Sequence, residues 1–143
     1  MTLPDINVLI HAVNEEAREH GAAKDWLNHA LAGPERVGFA WVVVLGFIRI
    51  TTRSGLWPVP ISLDNAFKLM ETWLSAPSVE ILHPGPEHAR NLKYLLSKVG
   101  TAGNLVTDAH LAALAIENGA ELVTFDRDFG RFAGLRWKLL TSP

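Results

Sequence analysis

The sequence contains no cysteine among its 143 residues. This absence excludes a disulfide framework, a thiolate nucleophile and a zinc site built on cysteine. The sequence also lacks a basic N-terminal segment followed by a signal-length apolar run, and no stretch approaches the roughly 18 unbroken apolar residues of a membrane-spanning helix. We therefore expect a soluble, cytoplasmic protein with no membrane partner.

A strong charge of either sign is lacking as well. The chain has 13 Lys and Arg residues against 15 Asp and Glu residues, a formal net charge of −2. There is no global attraction to nucleic acid, so a polyanion would have to be held by a local basic patch or through metal ions. Charge alone neither proposes nor excludes RNA.

The composition is typical of a packed globular protein. Hydrophobic residues make up 48% of the chain and charged residues 20%, and five of the residues are Trp. The length is close to that of one domain, and there is no internal repeat, low-complexity tract or linker. We expect one domain that covers residues 1–143.

Short apolar segments alternate with amphipathic ones along the chain. The pattern predicts strands just before Asp5 and over residues 37–40, 79–82, 121–125 and 136–140. Helices are predicted from residue 7 and over residues 16–31, 62–74, 87–99 and 104–118. Strands that alternate with helices favour an α/β fold with a central, mostly parallel sheet of about five short strands.

Residues 41–52 are ambiguous. The run is apolar on every face and rich in β-branched residues. Periodicity does not decide between a buried helix and a buried strand, and composition alone favours the strand.

Three acidic residues occupy the ends of predicted elements. Asp5 and Asp126 each follow a strand, and Asp108 lies in the first turn of a helix. In parallel sheets, ligands bind beyond the carboxyl ends of the strands. Two carboxylates about 4 Å apart repel by roughly 4 kcal/mol at an effective dielectric constant near 20, so a cluster of three favours a shared cation. Oxygen-only ligands favour magnesium or manganese.

Three segments in register carry a resemblance to a known family. Asp-Ile-Asn-Val-Leu-Ile at 5–10, Asn-Leu-Val-Thr-Asp-Ala-His at 104–110 and Thr-Phe-Asp-Arg-Asp-Phe at 124–129 resemble those of PIN-domain ribonucleases, specifically VapC-type toxins. The resemblance covers nearly the whole chain. It implies a PIN-like fold and a magnesium- or manganese-dependent endoribonuclease, the toxin of a type II toxin-antitoxin pair, that hydrolyses RNA with a metal-activated water.

The resemblance also implies the site residues. Asp5, Asp108 and Asp126 match the first, third and fourth acidic positions of the family, which implies that they are catalytic and bind the metal. Asp128 is implied as a weaker or water-mediated metal ligand. Thr124 is implied to form hydrogen bonds within the site and to orient its neighbours.

The sequence departs from the family at one position. The second acid is usually a Glu early in the helix after the second strand, and the register places Gly46 there. The resemblance implies a buried helix over residues 41–53, against the strand that composition favours. Arg49, one helical turn beyond Gly46, is a candidate to hold a phosphate in place of the missing acid.

The partners follow from the same resemblance. It implies a homodimer and a cognate protein antitoxin whose C-terminal segment covers the acidic site. The RNA substrate stays open among messenger, transfer and ribosomal RNA.

Other interpretations remain open at this point. Asp108 could instead be only a first-turn acid that the helix dipole favours. Asp126 and Asp128 could instead be ordinary turn residues after a strand. With the second acid missing, the rival function is a PIN-fold module that binds antitoxin or RNA without cutting it. A different metal-dependent phosphohydrolase lacks a supporting motif. The six His residues show no zinc-ligand spacing and are expected to be exposed or singly hydrogen-bonded.

Overall fold

Five short parallel strands form one sheet. A computed structural model describes residues 1–55, 57, 59–100 and 103–143. The strands are β1 (Thr2–Pro4), β2 (Val37–Ala40), β3 (Val79–Leu82), β4 (Glu121–Thr124) and β5 (Trp137–Leu139). Their order across the sheet is β3-β2-β1-β4-β5, and every pairing is parallel. The predicted fold class is confirmed.

The central strands β1 and β4 set the position of the two acids that follow them. Leu3 pairs with Leu122, and both side chains are fully buried. Because the two strands are parallel and in register, their carboxyl ends lie at the same edge of the sheet. Asp5 and Asp126 therefore leave the sheet side by side, at what we call the acidic edge.

Helices cover the sheet. In the described part of the chain they are α1 (Ile6–Val13), α2 (His20–Ala32), α3 (Trp41–Thr52), α4 (Leu63–Leu74), α5 (His88–Val99) and α6 (Val106–Glu117). The Ser62 hydroxyl caps α4 by accepting from the Asn65 N–H at 3.1 Å, as its sequence indicates. None of the described helices is long and apolar enough to span a lipid bilayer.

Two helices begin later than predicted. α2 begins at His20 rather than at residue 16, because the Asn14 side chain accepts from the Glu16 N–H at 3.2 Å and holds a turn there. α6 begins at Val106 rather than at residue 104, because a 3₁₀ turn occupies Gly103–Leu105. Both starts are set by local turns that compete with the helix.

The strand that composition favours over residues 41–52 is wrong, and the helix implied by the resemblance is correct. Val43, Val44 and Phe47 face the core, and the Thr51 hydroxyl donates to the Phe47 carbonyl at 2.8 Å. Packing of this face on α1 and α4 outweighs the strand preference of β-branched residues.

Candidate active site at the acidic edge

Asp5 is the buried acid at the centre of the acidic edge. It follows β1 and caps α1, and its Oδ1 accepts from the Ile6 N–H at 2.7 Å. Its Oδ2 accepts from the Thr124 hydroxyl at 2.8 Å. Burial raises the pKa of Asp5, as does the charge of Asp126, while the hydrogen bonds from Thr124, Ile6 and Asn7 act in the opposite direction.

Thr124 joins the first and last segments of the site. Its hydroxyl donates to Asp5 and accepts from the Asn7 side-chain amide and from the Asp126 N–H, both at 3.0 Å. One donor and two acceptor positions are thus all used. The hydrogen bonds expected of Thr124 are present, and they fix Asp5 relative to Asp126.

Asn7 was not assigned a role from the sequence. Besides donating to Thr124, its Oδ1 accepts from the Phe125 N–H at 3.2 Å, so it ties α1 to the segment after β4. The signal was the Asp-x-Asn spacing, which places a second polar side chain in the first turn of the helix that Asp5 caps.

Asp126 precedes the 3₁₀ turn Arg127–Arg131, and Asp128 lies within it. The Asp126 Oδ1 accepts from the Asp128 N–H at 2.8 Å and so caps this turn. The turn role considered for Asp126 is therefore real, and it orients the carboxylate at the end of β4.

Asp108 belongs to the same electrostatic cluster although it lies on α6. Partial burial raises its pKa from 3.8 to about 6, and the charges of Asp5, Asp126 and Asp128 contribute to the increase. The four predicted acids are thus close enough for their charges to interact. This mutual repulsion is a cost that a cation at the acidic edge would remove.

A cleft of 440 Å³ opens between α3 and the acidic edge. One wall carries Asp5, Ile6, Thr107 and Asp108. The other wall is one face of α3, with residues at i, i+3, i+4, i+7 and i+8: Val42, Leu45, Gly46, Arg49 and Ile50. The cleft therefore combines two carboxylates, an apolar surface and one guanidinium.

Gly46 lies in this cleft, where the register with the family places the second acid. A Cβ at position 46 would lie 2.5 Å from Ile6 Cδ1. Without a side chain at Gly46, α3 approaches the start of α1 closely, and the Ile6 side chain fills the space.

The donor set fits a hard divalent cation in chemistry. All four acids offer carboxylate oxygens, which magnesium and manganese prefer. Within the residues that the structure describes, however, no three His, Asp or Glu side chains converge closely enough to form a ready-made metal site. Each Asp5 carboxylate oxygen accepts one hydrogen bond and keeps a second lone pair, so these hydrogen bonds leave Asp5 able to bind a metal.

A second polar cluster was missed by the sequence reasoning. His88 Nδ1 lies 2.6 Å from Glu117 Oε2, and its Nε2 lies 2.8 Å from His110 Nδ1. Glu117 Oε1 also accepts from the Gly85 N–H at 3.1 Å. The expectation of a singly hydrogen-bonded side chain is therefore wrong for His88, which ties α5 to α6. No sequence signal joins residues 29 positions apart.

Comparisons with known proteins show the family of the chain. A model of the PIN domain family matches residues 2–135. Ribonuclease VapC37 of Mycobacterium tuberculosis is 48% identical over 137 residues, which span 96% of this chain and 95% of the relative. The chain therefore belongs to the PIN domain family, and within it to the VapC ribonucleases.

Solved structures show the same fold. The crystal structure of VapBC2 from Rickettsia felis, bound to a DNA fragment from their promoter, matches with a TM-score of 0.72 at 18% identity and covers 98% of both chains. That of Mycobacterium tuberculosis VapC20, a sarcin-ricin loop cleaving toxin, matches with a TM-score of 0.68 at 19% identity and covers 95% of this chain and 99% of the other.

Proposed function

We propose that this chain is a magnesium- or manganese-dependent endoribonuclease and the toxin of a type II toxin-antitoxin pair. One observation carries the proposal: carboxylates from the ends of β1 and β4 and from α6 share one edge of the sheet, where burial and then their charges raise the pKa of Asp108 to about 6. Membership in the VapC ribonucleases supports RNA as the substrate. An RNA substrate makes the cytoplasm the expected place of action.

In this proposal, Asp5, Asp108 and Asp126 hold the metal, and Asp128 contributes through water. A bound magnesium or manganese ion polarises a phosphoryl oxygen and makes its bound water more acidic. The chain's own contribution is positional. Thr124 holds the Asp5 carboxylate by a 2.8 Å hydrogen bond. The Asp126 carboxylate is held by the hydrogen bond that it accepts from the Asp128 N–H.

Protonation of Asp108 sets the acid limit of the proposed activity. With a pKa of about 6, Asp108 is ionised at neutral pH and increasingly protonated below pH 6 in the metal-free protein. A protonated carboxyl is a poor metal ligand, so metal affinity and cleavage are expected to fall on acidification.

The proposed partners are a cognate protein antitoxin and a second copy of the chain. The VapBC2 likeness supports the antitoxin. Exposed apolar side chains on α3 and α4 support self-association: Trp41, Leu45, Leu63 and Phe67. Sedimentation tests the dimer, because Phe67→Glu should give monomers while Tyr94→Glu, at an exposed aromatic on α5, should not.

A second function is favoured by Gly46. The chain would then be a PIN-fold module that binds antitoxin or RNA without cutting it, because the second acid is replaced by a contact with Ile6. The two functions differ in whether RNA is cleaved at all.

The deciding experiment is cleavage of a mixed RNA pool by purified, antitoxin-free protein with magnesium or manganese and, separately, with chelator. Asp108→Asn should abolish cleavage. The matched control is Asp64→Asn, because Asp64 is the first-turn acid of α4 and lies outside the cleft. Equal loss in both variants would mean that Asp108 acts only through its helix, and metal-independent cleavage would contradict the proposal.

A further inference from the structure

Arg49 is the cation of the cleft. It is exposed and lies on the same face of α3 as Gly46, across from Asp5 and Asp108. Among the described residues that line the cleft, it is the one Lys or Arg side chain. A guanidinium that faces carboxylates across a cleft can bind a ligand that is itself an anion.

Gly46 leaves this guanidinium without an intrahelical partner. Residues three apart on a helix face each other, so a Glu at position 46 would form an ion pair with Arg49. The chain has glycine there, and in the described part of the structure the Arg49 side chain takes part in none of the ion pairs. The absence of an acid at position 46 therefore leaves the Arg49 guanidinium available to another group.

Ile6, which follows Asp5 at the acidic edge, is in contact with Gly46 on α3. An added Cβ would lie only 2.5 Å from Ile6 Cδ1, so a side chain at position 46 requires the end of the Ile6 side chain to move. The same α3 face presents Arg49 one turn further on. Thr107, on the opposite wall, adds a hydroxyl beside Asp108.

A phosphodiester that enters an acidic cleft meets like charge on one wall. A guanidinium on the other wall offers a planar pair of donors that matches two phosphate oxygens. We propose that Arg49 binds a backbone phosphate of the RNA and positions it against the acidic edge, taking a role opposite in charge to that of the family's second acid. The inference rests on the proposed function for its substrate, and it makes Arg49 a substrate-binding residue.

The structural alternative is that Arg49 is an ordinary solvated charge on α3. The two interpretations differ in their measurable consequences, because a solvated charge contributes little to stability or to RNA affinity. Arg53 provides the matched control: it is an exposed arginine four residues later, at the C-terminal cap of α3, and it does not line the cleft.

The first test is equilibrium binding of a fluorescent single-stranded RNA in chelator, where the proposed function predicts no cleavage. Arg49→Ala should bind about tenfold more weakly than wild type. The slope of log affinity against log salt should fall by about 0.7, as expected for one lost phosphate contact on a single strand. Arg49→Lys should lose less than Arg49→Ala, and Arg53→Ala should stay within about twofold of wild type.

The second test is steady-state cleavage with metal, in which Arg49→Ala should raise KM. A third test concerns Gly46. Adding Gly46→Glu to the Ile6→Ala variant should weaken RNA binding relative to Ile6→Ala alone, because the new carboxylate pairs with Arg49. Melting temperatures of the Arg49 variants should match wild type, which excludes misfolding as the cause.

The outcomes separate the inference from the proposed function. Arg49-dependent RNA binding without any cleavage would support the phosphate site and contradict the nuclease. Metal-dependent cleavage with Arg49→Ala unchanged in both KM and RNA affinity would overturn the phosphate site and leave the nuclease standing. Equal losses in Arg49→Ala and Arg53→Ala, or no RNA binding by wild type, would also overturn the inference.

Discussion

Thr124 shows how one side chain organises the acidic edge. Its hydroxyl satisfies a buried carboxylate, a side-chain amide and a backbone N–H at once. Thr124 itself is fully buried. Because a buried polar group without a partner is costly, the residue contributes to stability as well as to the orientation of Asp5.

Replacing Thr124 with valine tests this contribution. Thr124→Val keeps the shape but leaves three polar groups without their partner, so unfolding should require about 2–3 kcal/mol less in urea denaturation. Thr72→Val is the control, because Thr72 is exposed and its hydroxyl bonds only to the Lys68 carbonyl. A loss no larger than that of the control would contradict the assigned role.

Asp108 makes a second prediction at the residue scale. Its pKa is about 6 in the folded protein against an ordinary value of 3.8, so the folded state holds this proton more tightly than the unfolded chain. The associated stability is therefore complete below pH 3.8 and is lost as the pH rises through 6.

Asp108→Asn removes the charge, so the variant should not lose this stability as the pH rises. In chelator at pH 7.5 the variant should melt about 3 °C higher than wild type, a value that allows for solvent screening of a half-buried group. Below pH 4 the two proteins should melt alike, because wild-type Asp108 is then neutral. A variant that is less stable than wild type at pH 7.5 would contradict a cost of ionising Asp108 from burial and neighbouring charges.

At the scale of elements, the approach of α3 to α1 depends on one small residue. Gly46 is buried, and Ile6 Cδ1 occupies the space beside it. Alanine at position 46 gains roughly 1 kcal/mol of helix propensity, while its Cβ must displace the end of the Ile6 side chain. The balance between the two effects depends on Ile6.

A double-mutant cycle measures that dependence. Gly46→Ala should change stability little in the wild-type background. In the Ile6→Val background, which lacks Cδ1, the same substitution should stabilise the protein, giving a coupling of about 1 kcal/mol in chemical denaturation. Additive effects within about 0.3 kcal/mol would mean that the contact does not limit the approach of α3.

The sequence could predict most elements because their signals are local. Ser62 caps α4, and Gly119, just after α6, adopts the left-handed conformation in which helices commonly end. Residues 41–52 could not be assigned from pattern, because a run that is apolar on every face is read correctly only with its neighbours in place. The later start of α2 has a local cause, the Asn14 turn, which competes with a helical pattern that continues into it.

For the whole molecule, the candidate site depends on convergence that only the fold provides. Asp5, Asp108 and Asp126 were predicted from motifs spread over the chain, and the structure brings their charges into range of one another. The opposite wall was less predictable. Arg49 was a candidate from its spacing to Gly46, but the Ile6 contact and the shared cleft depend on how α3 packs.

The folded chain also separates charge that is nearly balanced overall. Although the net charge is only −2, four interacting carboxylates lie at one edge of the sheet, and an arginine lies across the cleft from them. A divalent cation bound there would relieve the repulsion among the acids, so cation binding and proton release from Asp108 should be linked.

Calorimetric titration of manganese into the metal-free protein, in buffers of different ionisation enthalpy, tests the account most directly. At pH 6, near the pKa of Asp108, binding should release about half a proton per site. At pH 8 the release should disappear, and Asp108→Asn should bind manganese at least about tenfold more weakly, while Asp64→Asn binds as wild type does. No manganese binding by wild type, or binding with equal affinity and proton release in Asp108→Asn, would contradict a metal site at the acidic edge.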